Sequence, residues 1–172
     1  MLNNLNELIS AKINPMKIAC SSFDLSLNDL EDQLVSFNKL YGLKIKPESQ
    51  REVLWTKENQ VKFVENLFRG TVSDSGKTIL FNAPNYNRAK EAKTIEVSKG
   101  VSKNMVCVDG LQRIISCRAF VNGDFTIFDK ELGGVDKDYF NETEFSILNI
   151  GIRFQVFNLI NKEDLSELLM RN

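Results

Sequence analysis

The stretch VCVDGLQRIISCRAF, residues 106–120, shows where one strand ends and one helix begins. The β-branched run that ends at Asp109 is typical of a buried strand, and the apolar spacing after Gly110 is typical of a helix. Gly110 allows a sharp turn and a close approach of a ligand to the backbone. A helix that begins near Leu111 points unpaired N–H groups and the positive end of its dipole toward this turn. The stretch therefore predicts a strand–turn–helix unit whose turn can bind an anion.

Three polar side chains at this turn have the chemistry that a phosphate needs. Arg113, in the first helical turn, can donate two parallel hydrogen bonds to phosphate oxygens. Asp109 can bind Mg²⁺ or orient a water molecule, and Gln112 can donate to a phosphate or hold that water. A plain structural interpretation stays open, because Asp-Gly is a common turn pair and a surface arginine is usually solvated.

The length, composition and net charge of the chain exclude several classes of protein. With 172 residues, 42% of them hydrophobic, one domain with a buried core is expected. The net charge of −1 gives no overall positive field for nucleic acid, so any such contact would need a local patch. No apolar run is long enough to span a bilayer, and the first residues do not resemble a secretory signal. A cytoplasmic protein without membrane contact is expected.

The counts of histidine and cysteine narrow the chemistry further. The absence of histidine excludes Ser-His and Cys-His catalysis and histidine-ligated metals. Chemistry would then rest on carboxylates, amides, Lys or Arg, and a hard ion such as Mg²⁺, with Asp109 as its candidate ligand. Cys20, Cys107 and Cys117 are scattered without CxxC spacing, and Cys107 and Cys117 are expected in the core.

The hydrophobic pattern predicts strands and helices that intermix without regular βαβ alternation, which indicates an α+β fold. Helices are expected after Ser26-x-x-Asp29 up to Gly42, from Thr56 to Gly70, from Leu111 to Gly123, within 133–149, and over 161–171. Strands are expected at GLKIKP (42–47), TILFNA (78–83), NMVCV (104–108), FTIF (125–128) and IGIRFQVFNLI (150–160), with KTIEV (93–97) as a short edge strand. Residues 71–77 are expected to be a loop. Residues 1–25 are interpreted as an N-terminal extension and residues 26–172 as the domain.

Two long segments resemble the GmrSD-type "DGQQR" domain family, the N-terminal domain of modification-dependent restriction enzymes. MVCVDGLQRIISCRAFVNGDFTIF, residues 105–128, is similar to the family's strand, Asp-Gly-Gln-Gln-Arg signature, helix and glycine-capped turn. IKPESQREVLWTKENQVKFVENLFRG, residues 45–70, is similar to its IP-x-x-QR-x-x-x-W run and the helix that follows, with Gln50, Arg51 and Trp55 at matching positions. A weaker match is DLSELLMRN, residues 164–172, which is similar to a closing helix that ends in Arg-x-Asn. The matches occur in the family's order and span roughly residues 26–172.

This resemblance implies a ParB/sulfiredoxin-like α+β fold, a small mixed sheet packed with helices, in which the two Gln-Arg segments converge on one pocket. In such proteins the pocket binds and often hydrolyses nucleoside triphosphates, and hydrolysis regulates DNA cleavage by a second domain. The residues implied to be catalytic are Asp109, Gln112 and Arg113, with Asp109 holding Mg²⁺. The residues implied to bind the nucleotide or its phosphates are Gln50, Arg51, Gly110 and Arg113.

Two departures from the family pattern shape the expected function. Leu111 stands where the family has its first glutamine, which removes one amide from the pocket. The histidine-bearing nuclease region is absent, so no nuclease activity is expected, and the chain is interpreted as a stand-alone regulator or a fragment. The expected function is a nucleotide-binding domain with Mg²⁺-dependent triphosphatase activity. The alternative is a non-catalytic module that binds DNA or a protein of a restriction or defence system, such as a decoy or inhibitor in host–phage conflict.

Overall fold

The computed structural model describes residues 19–45, 55–87, 95–141 and 150–170. Over these ranges the helices are α1 (Leu30–Tyr41), α2 (Lys57–Phe68), α3 (Asp74–Lys77), α4 (Leu111–Val121), α5 (Asp129–Leu132), α6 (Lys137–Asn141) and α7 (Lys162–Met170). The strands are β1 (Ser21–Ser26), β2 (Thr78–Asn82), β3 (Val106–Asp109) and β4 (Gly151–Phe157). No helix in the described ranges is both long and apolar enough to cross a membrane.

The four strands form one mixed sheet in the order β1-β4-β2-β3. β4 pairs antiparallel with β1 and parallel with β2, and β2 pairs antiparallel with β3. Helices and strands are not arranged as repeating βαβ units, and the predicted α+β class with a small mixed sheet is confirmed.

One face of the sheet is apolar and fully covered. Ile152, Phe154 and Val156 alternate along β4 and are completely buried on this face. The same core contains apolar side chains of α1, α2 and α4, which pack over the strands. Burial of this face is the main favourable contribution to folding, because apolar area removed from water stabilises the folded state roughly in proportion to its size.

The helices that cover this face begin and end where the sequence signals predict. Ser26 and Asp29 hydrogen-bond to each other ahead of α1, and Gly42 ends α1 with φ +69°. Thr56 caps α2 through a hydrogen bond from the Asn59 N–H to its hydroxyl. α4 begins directly after Gly110.

The opposite face of the sheet is divided into two halves. At one end Leu80 of β2, Phe157 of β4 and Leu168 of α7 form a small second apolar cluster. The amide of Asn82 fixes the segment before α7, since Nδ2 donates to the Leu159 carbonyl and Oδ1 accepts from the Leu159 N–H. At the other end the strands present polar side chains that α7 does not cover, and a cleft lies there.

Several local predictions are wrong, and the reasons are physical. Residues 43–45 of GLKIKP form no strand, because Asn38 Nδ2 donates to the Leu43 carbonyl and holds Leu43 in the core below α1. FTIF contributes only an isolated bridge between Ile127 and Val135. Residues 95–97 of KTIEV are not a strand, and the rest of that stretch lies outside the described residues.

Three of the described elements were not anticipated from the sequence: β1, α3 and the single turn α5 (Asp129–Leu132). β1 begins at Ser21, inside the segment interpreted as an N-terminal extension, and forms the edge of the sheet beside β4. The loop expected over residues 71–77 contains the single turn α3, which Ser73 caps by accepting from the Gly76 N–H.

Candidate functional site

The turn between β3 and α4 is shaped by an irregularity in the β2–β3 ladder. Leu80 pairs with Asp109 but Phe81 pairs with Cys107, so Val108 is an extra residue in β3. Such a bulge bends a strand and re-aims the side chains beside it. As a result the Asp109 side chain points to the cleft on the partly open face of the sheet, while the chain turns back at Gly110 to begin α4.

Gly110 is required by geometry at this turn. Its φ is +95°, a conformation that side-chain-bearing residues rarely adopt. A Cβ at this position would lie 2.8 Å from Cγ1 of Ile79 and 3.2 Å from its Cα, so β2 and the turn are in direct backbone contact. The predicted sharp turn is present, and the close approach that it permits is to β2.

Arg113 connects the start of α4 to two strands. Its Nη1 donates to the Thr78 carbonyl at 2.5 Å and to Oδ2 of Asp109 at 3.4 Å. The side chain is 22% exposed, so this guanidinium is largely held inside the fold. Arg113 therefore positions Asp109 and the start of β2, a role that the sequence did not indicate.

Gln112 connects the same helix start to the chain ahead of α2. Its Oε1 accepts a hydrogen bond from the Trp55 backbone N–H at 3.3 Å. The Trp55 ring packs edge-on against Phe63 of α2, which fixes the peptide that donates this bond. Gln50 and Arg51, implied by the family resemblance to bind phosphate, lie outside the described residues.

The predicted metal role of Asp109 has little support in the geometry. In the described ranges no three carboxylate or cysteine side chains converge to hold a metal ion. Oδ2 of Asp109 already pairs with the Arg113 guanidinium, which competes with a cation. Among the described residues, Asp109 is therefore the one candidate metal ligand at this turn. A metal ion held by protein side chains alone would need more ligands.

A cleft of about 260 Å³ opens next to Asp109 on the half of the sheet that α7 leaves uncovered. Its lining residues are Asp74, Ser75, Thr78, Leu80, Asp109, Arg153 and Gln155. The side chains come from three adjacent strands and from α3, because Thr78 pairs with Arg153 and Leu80 pairs with both Gln155 and Asp109. The register of the sheet therefore assembles the cleft from segments far apart in sequence.

Arg153 is the central charge of the cleft. Nε and Nη2 donate to the two carboxylate oxygens of Asp24 at 2.7 and 3.2 Å, a bidentate pair across the β1–β4 ladder. Nη1 lies 3.9 Å from Oδ2 of Asp74, beyond hydrogen-bond distance. Arg153, through its hydrogen bonds, lowers the pKa of Asp24 below its usual value, and Lys77 does the same for Asp74.

Sequence reasoning missed Arg153 and Gln155, although a signal for them exists. In GIRFQVF they occupy alternate positions of a strand, opposite to the buried residues. A strand with one polar face is ordinarily interpreted as facing water. Only the topology reveals that β4 is a central strand, so that these two side chains stand in the middle of the sheet.

Two of the three cysteines, Cys107 and Cys117, are core residues without a reactive thiol. Cys107 and Cys117 are buried, as predicted, and burial raises the pKa of each thiol to about 12. At neutral pH both remain protonated and are poor nucleophiles, even though Cys107 lies two residues from Asp109.

Comparison of the chain with protein-family models, with curated proteins and with solved structures finds no match. The resemblance to the DGQQR family stays a prediction that rests on the sequence segments quoted above.

Proposed function

We propose that the chain is a nucleotide-binding domain of the DGQQR type, with the triphosphate at the start of α4. The observation that carries the proposal is the hydrogen bond from the Trp55 N–H to Oε1 of Gln112. It joins the two segments that each contain a Gln-Arg pair in the sequence, and the two bonded residues are 57 positions apart.

Chain length supports the same arrangement. Arg51 is four positions before Trp55 in the sequence, and an extended chain covers at most about 3.6 Å per residue, so covalent geometry alone limits the distance between their Cα atoms to about 14 Å. An arginine side chain adds several more ångströms of reach. Arg51 can therefore supply a positive charge beside the Gln112 end of α4, where the helix dipole favours an anion.

The described contacts assign separate roles to the polar residues of the turn. Gln112 accepts a hydrogen bond from the backbone N–H of Trp55 and so holds Trp55, the residue just ahead of the α2 cap, against the start of α4. Arg113 holds Asp109 and the start of β2 through Nη1, which leaves its Nε and Nη2 edge for a phosphate oxygen. Asp109 would orient the attacking water in a hydrolytic version of the site. Mg²⁺ would enter together with the triphosphate, and the roles of Gln112, Arg113 and Asp109 do not depend on it.

Binding without turnover is the second form of the proposal. Leu111, which replaces the family's first glutamine, is partly buried and packs against the main core. An amide that could act on the phosphates is replaced by an apolar contact. This favours a module that binds nucleotide, DNA or a protein of a defence system without hydrolysis.

The experiment is a thermal-shift panel of ATP, GTP, CTP and UTP, each with and without Mg²⁺, on the wild type and on Arg51→Ala. We expect at least one triphosphate to raise Tm of the wild type and to leave Tm of the variant unchanged. Arg118→Ala is the matched control, because Arg118 forms a surface ion pair with Glu31 away from the turn. Arg113→Ala is less suitable, since loss of the Thr78 bond would lower Tm without ligand.

Two further outcomes decide between the forms of the proposal. Release of inorganic phosphate above background indicates hydrolysis, and its absence with a retained Tm shift indicates binding alone. If no triphosphate raises Tm of the wild type, and DNA binds with a steep dependence on salt, the nucleotide proposal is wrong and the nucleic-acid module is favoured.

A further inference from the structure

The cleft on the partly open face of the sheet borders the proposed phosphate site but has a different chemical character. Asp109 belongs to both, since it lines the cleft and stands next to Gly110 at the start of α4. A ligand with its phosphates at the helix start would reach the cleft with its other end.

The charges that the described residues place around the cleft are balanced and do not attract a second anion. Four ion pairs of the described residues surround it, and they join three cations, Arg153, Lys77 and Arg113, to three carboxylates, Asp24, Asp74 and Asp109. Three cations against three carboxylates leave the charges balanced, so an uncharged polar group is the ligand that fits without displacing a partner.

Hydrogen-bonding groups in the cleft remain unused by the described parts of the chain. The side-chain amide of Gln155 makes no hydrogen bond to any described residue, although the side chain is half-buried on a central strand. Nη1 of Arg153 likewise has no acceptor within hydrogen-bond distance among those residues. The cleft thus offers an amide that both donates and accepts, together with an additional donor.

We infer that this cleft takes the base of the nucleotide, and that Gln155 selects adenine. A glutamine amide matches adenine through two parallel hydrogen bonds, one accepted from the exocyclic amine and one donated to a ring nitrogen, whereas guanine is the usual partner of an unpaired arginine fork. The fork of Arg153 is already occupied by Asp24, so Gln155 is the available reader. Leu80, nearly buried beside Phe157 and Leu168, is the apolar residue that lines the cleft next to Gln155.

The size of the cleft agrees with this ligand. Its volume of about 260 Å³ is just below the roughly 300–1,000 Å³ of pockets that hold drug-sized ligands, which suits a smaller group such as a single purine base. The inference rests on the proposed function, because it assumes that phosphates bind at the start of α4.

The test measures the dissociation constants of ATP and GTP by titration calorimetry for the wild type, Gln155→Leu and Gln155→Glu. We expect the wild type to bind ATP at least tenfold more tightly than GTP. Both variants should bind ATP about ten- to a hundredfold more weakly than the wild type and should lose the preference over GTP, because one bidentate base contact is removed. Gln33→Leu is the matched control, since Gln33 is also half-buried but lies on α1, which packs on the other face.

The outcomes separate this inference from the proposed function. Equal binding of ATP and GTP by the wild type, or an unchanged preference in Gln155→Leu, overturns the adenine assignment while nucleotide binding stands. Loss of all triphosphate binding in Arg51→Ala, with the preference intact in the wild type and lost in Gln155→Leu, supports both. If the wild type binds no triphosphate, a titration with adenosine decides, and absence of adenosine binding overturns the inference as well. Circular dichroism of each variant shows whether it folds.

Discussion

β4 supplies both faces of the sheet, and the two faces differ in what covers them. Ile152, Phe154 and Val156 point into the main core and are fully buried, whereas Arg153 and Gln155 point into the cleft. Residues that face the core and residues that face the cleft therefore alternate along the strand. The apolar face determines how the chain folds, because most of the buried area lies there. The polar half of the other face is not needed for the core, and the Gln155 amide there hydrogen-bonds to no described residue, which is the basis of the proposed base site.

The largest effect should come from truncation on the apolar face. Phe154→Ala removes a ring that packs against Phe23, Phe37 and Phe81 at centroid distances of 5.9, 6.0 and 4.8 Å. We expect the free energy of unfolding to fall by about 3–5 kcal/mol, from lost apolar contact and the remaining cavity. Gln155→Leu, one position along, should change it by less than about 1 kcal/mol. Urea unfolding followed by circular dichroism measures both, and equal losses would contradict the division between the faces.

Gly110→Ala should have the next largest effect, at the point where the turn touches β2. The new Cβ would contact Ile79 at 2.8 Å in a backbone with φ +95°. Strain of about 1–2 kcal/mol from the left-handed conformation and a further 1–3 kcal/mol from crowding give an expected loss of about 2–5 kcal/mol. The control is Gly123→Ala, where φ is +79° but no described atom lies within 4 Å of the added Cβ.

The control isolates the effect of crowding. Gly123→Ala has the conformational cost alone, so its expected loss is about 1–2 kcal/mol. If thermal or urea unfolding gives the same loss for both variants, the close contact between Gly110 and Ile79 is not the reason that glycine is needed.

Much of the fold could be predicted from the sequence where one local rule determines the result. Thr56, Gly42 and Gly110 fix helix ends through capping and backbone conformation, and each acts within a few residues. β1 was missed because Ser21–Ser26 is short and has only two apolar residues, Phe23 and Leu25, too few for the alternation to stand out before its pairing with β4 is known. FTIF was misinterpreted because burial of Phe125 and Ile127 requires apolar residues whether or not a ladder forms.

In the candidate site, too, local sequence rules identify some residues and the sheet topology determines the others. Asp109 and Gly110 were identified because strand, turn and helix follow one another in the chain. The contact of Arg113 with the Thr78 carbonyl and the assembly of the cleft depend on β2 lying between β3 and β4, which no local pattern specifies. Arg153 and Gln155 were missed for the same reason.

The smallest expected effect concerns the ion pair that holds Arg153. Hydrogen bonds from Arg153 lower the pKa of Asp24 below its ordinary value of 3.8, so the carboxylate is more stable in the folded state. A carboxyl group with a lowered pKa in the folded state contributes stability that is complete above pH 3.8 and is lost as the pH falls through the lowered value. Because Asp24 is 67% exposed, Asp24→Asn should cost less than about 1 kcal/mol at pH 7. Urea unfolding at a series of pH values should show this difference between wild type and variant shrinking toward zero in acid, and a difference that does not change with pH would mean that the pair does not stabilise the polar half of the sheet.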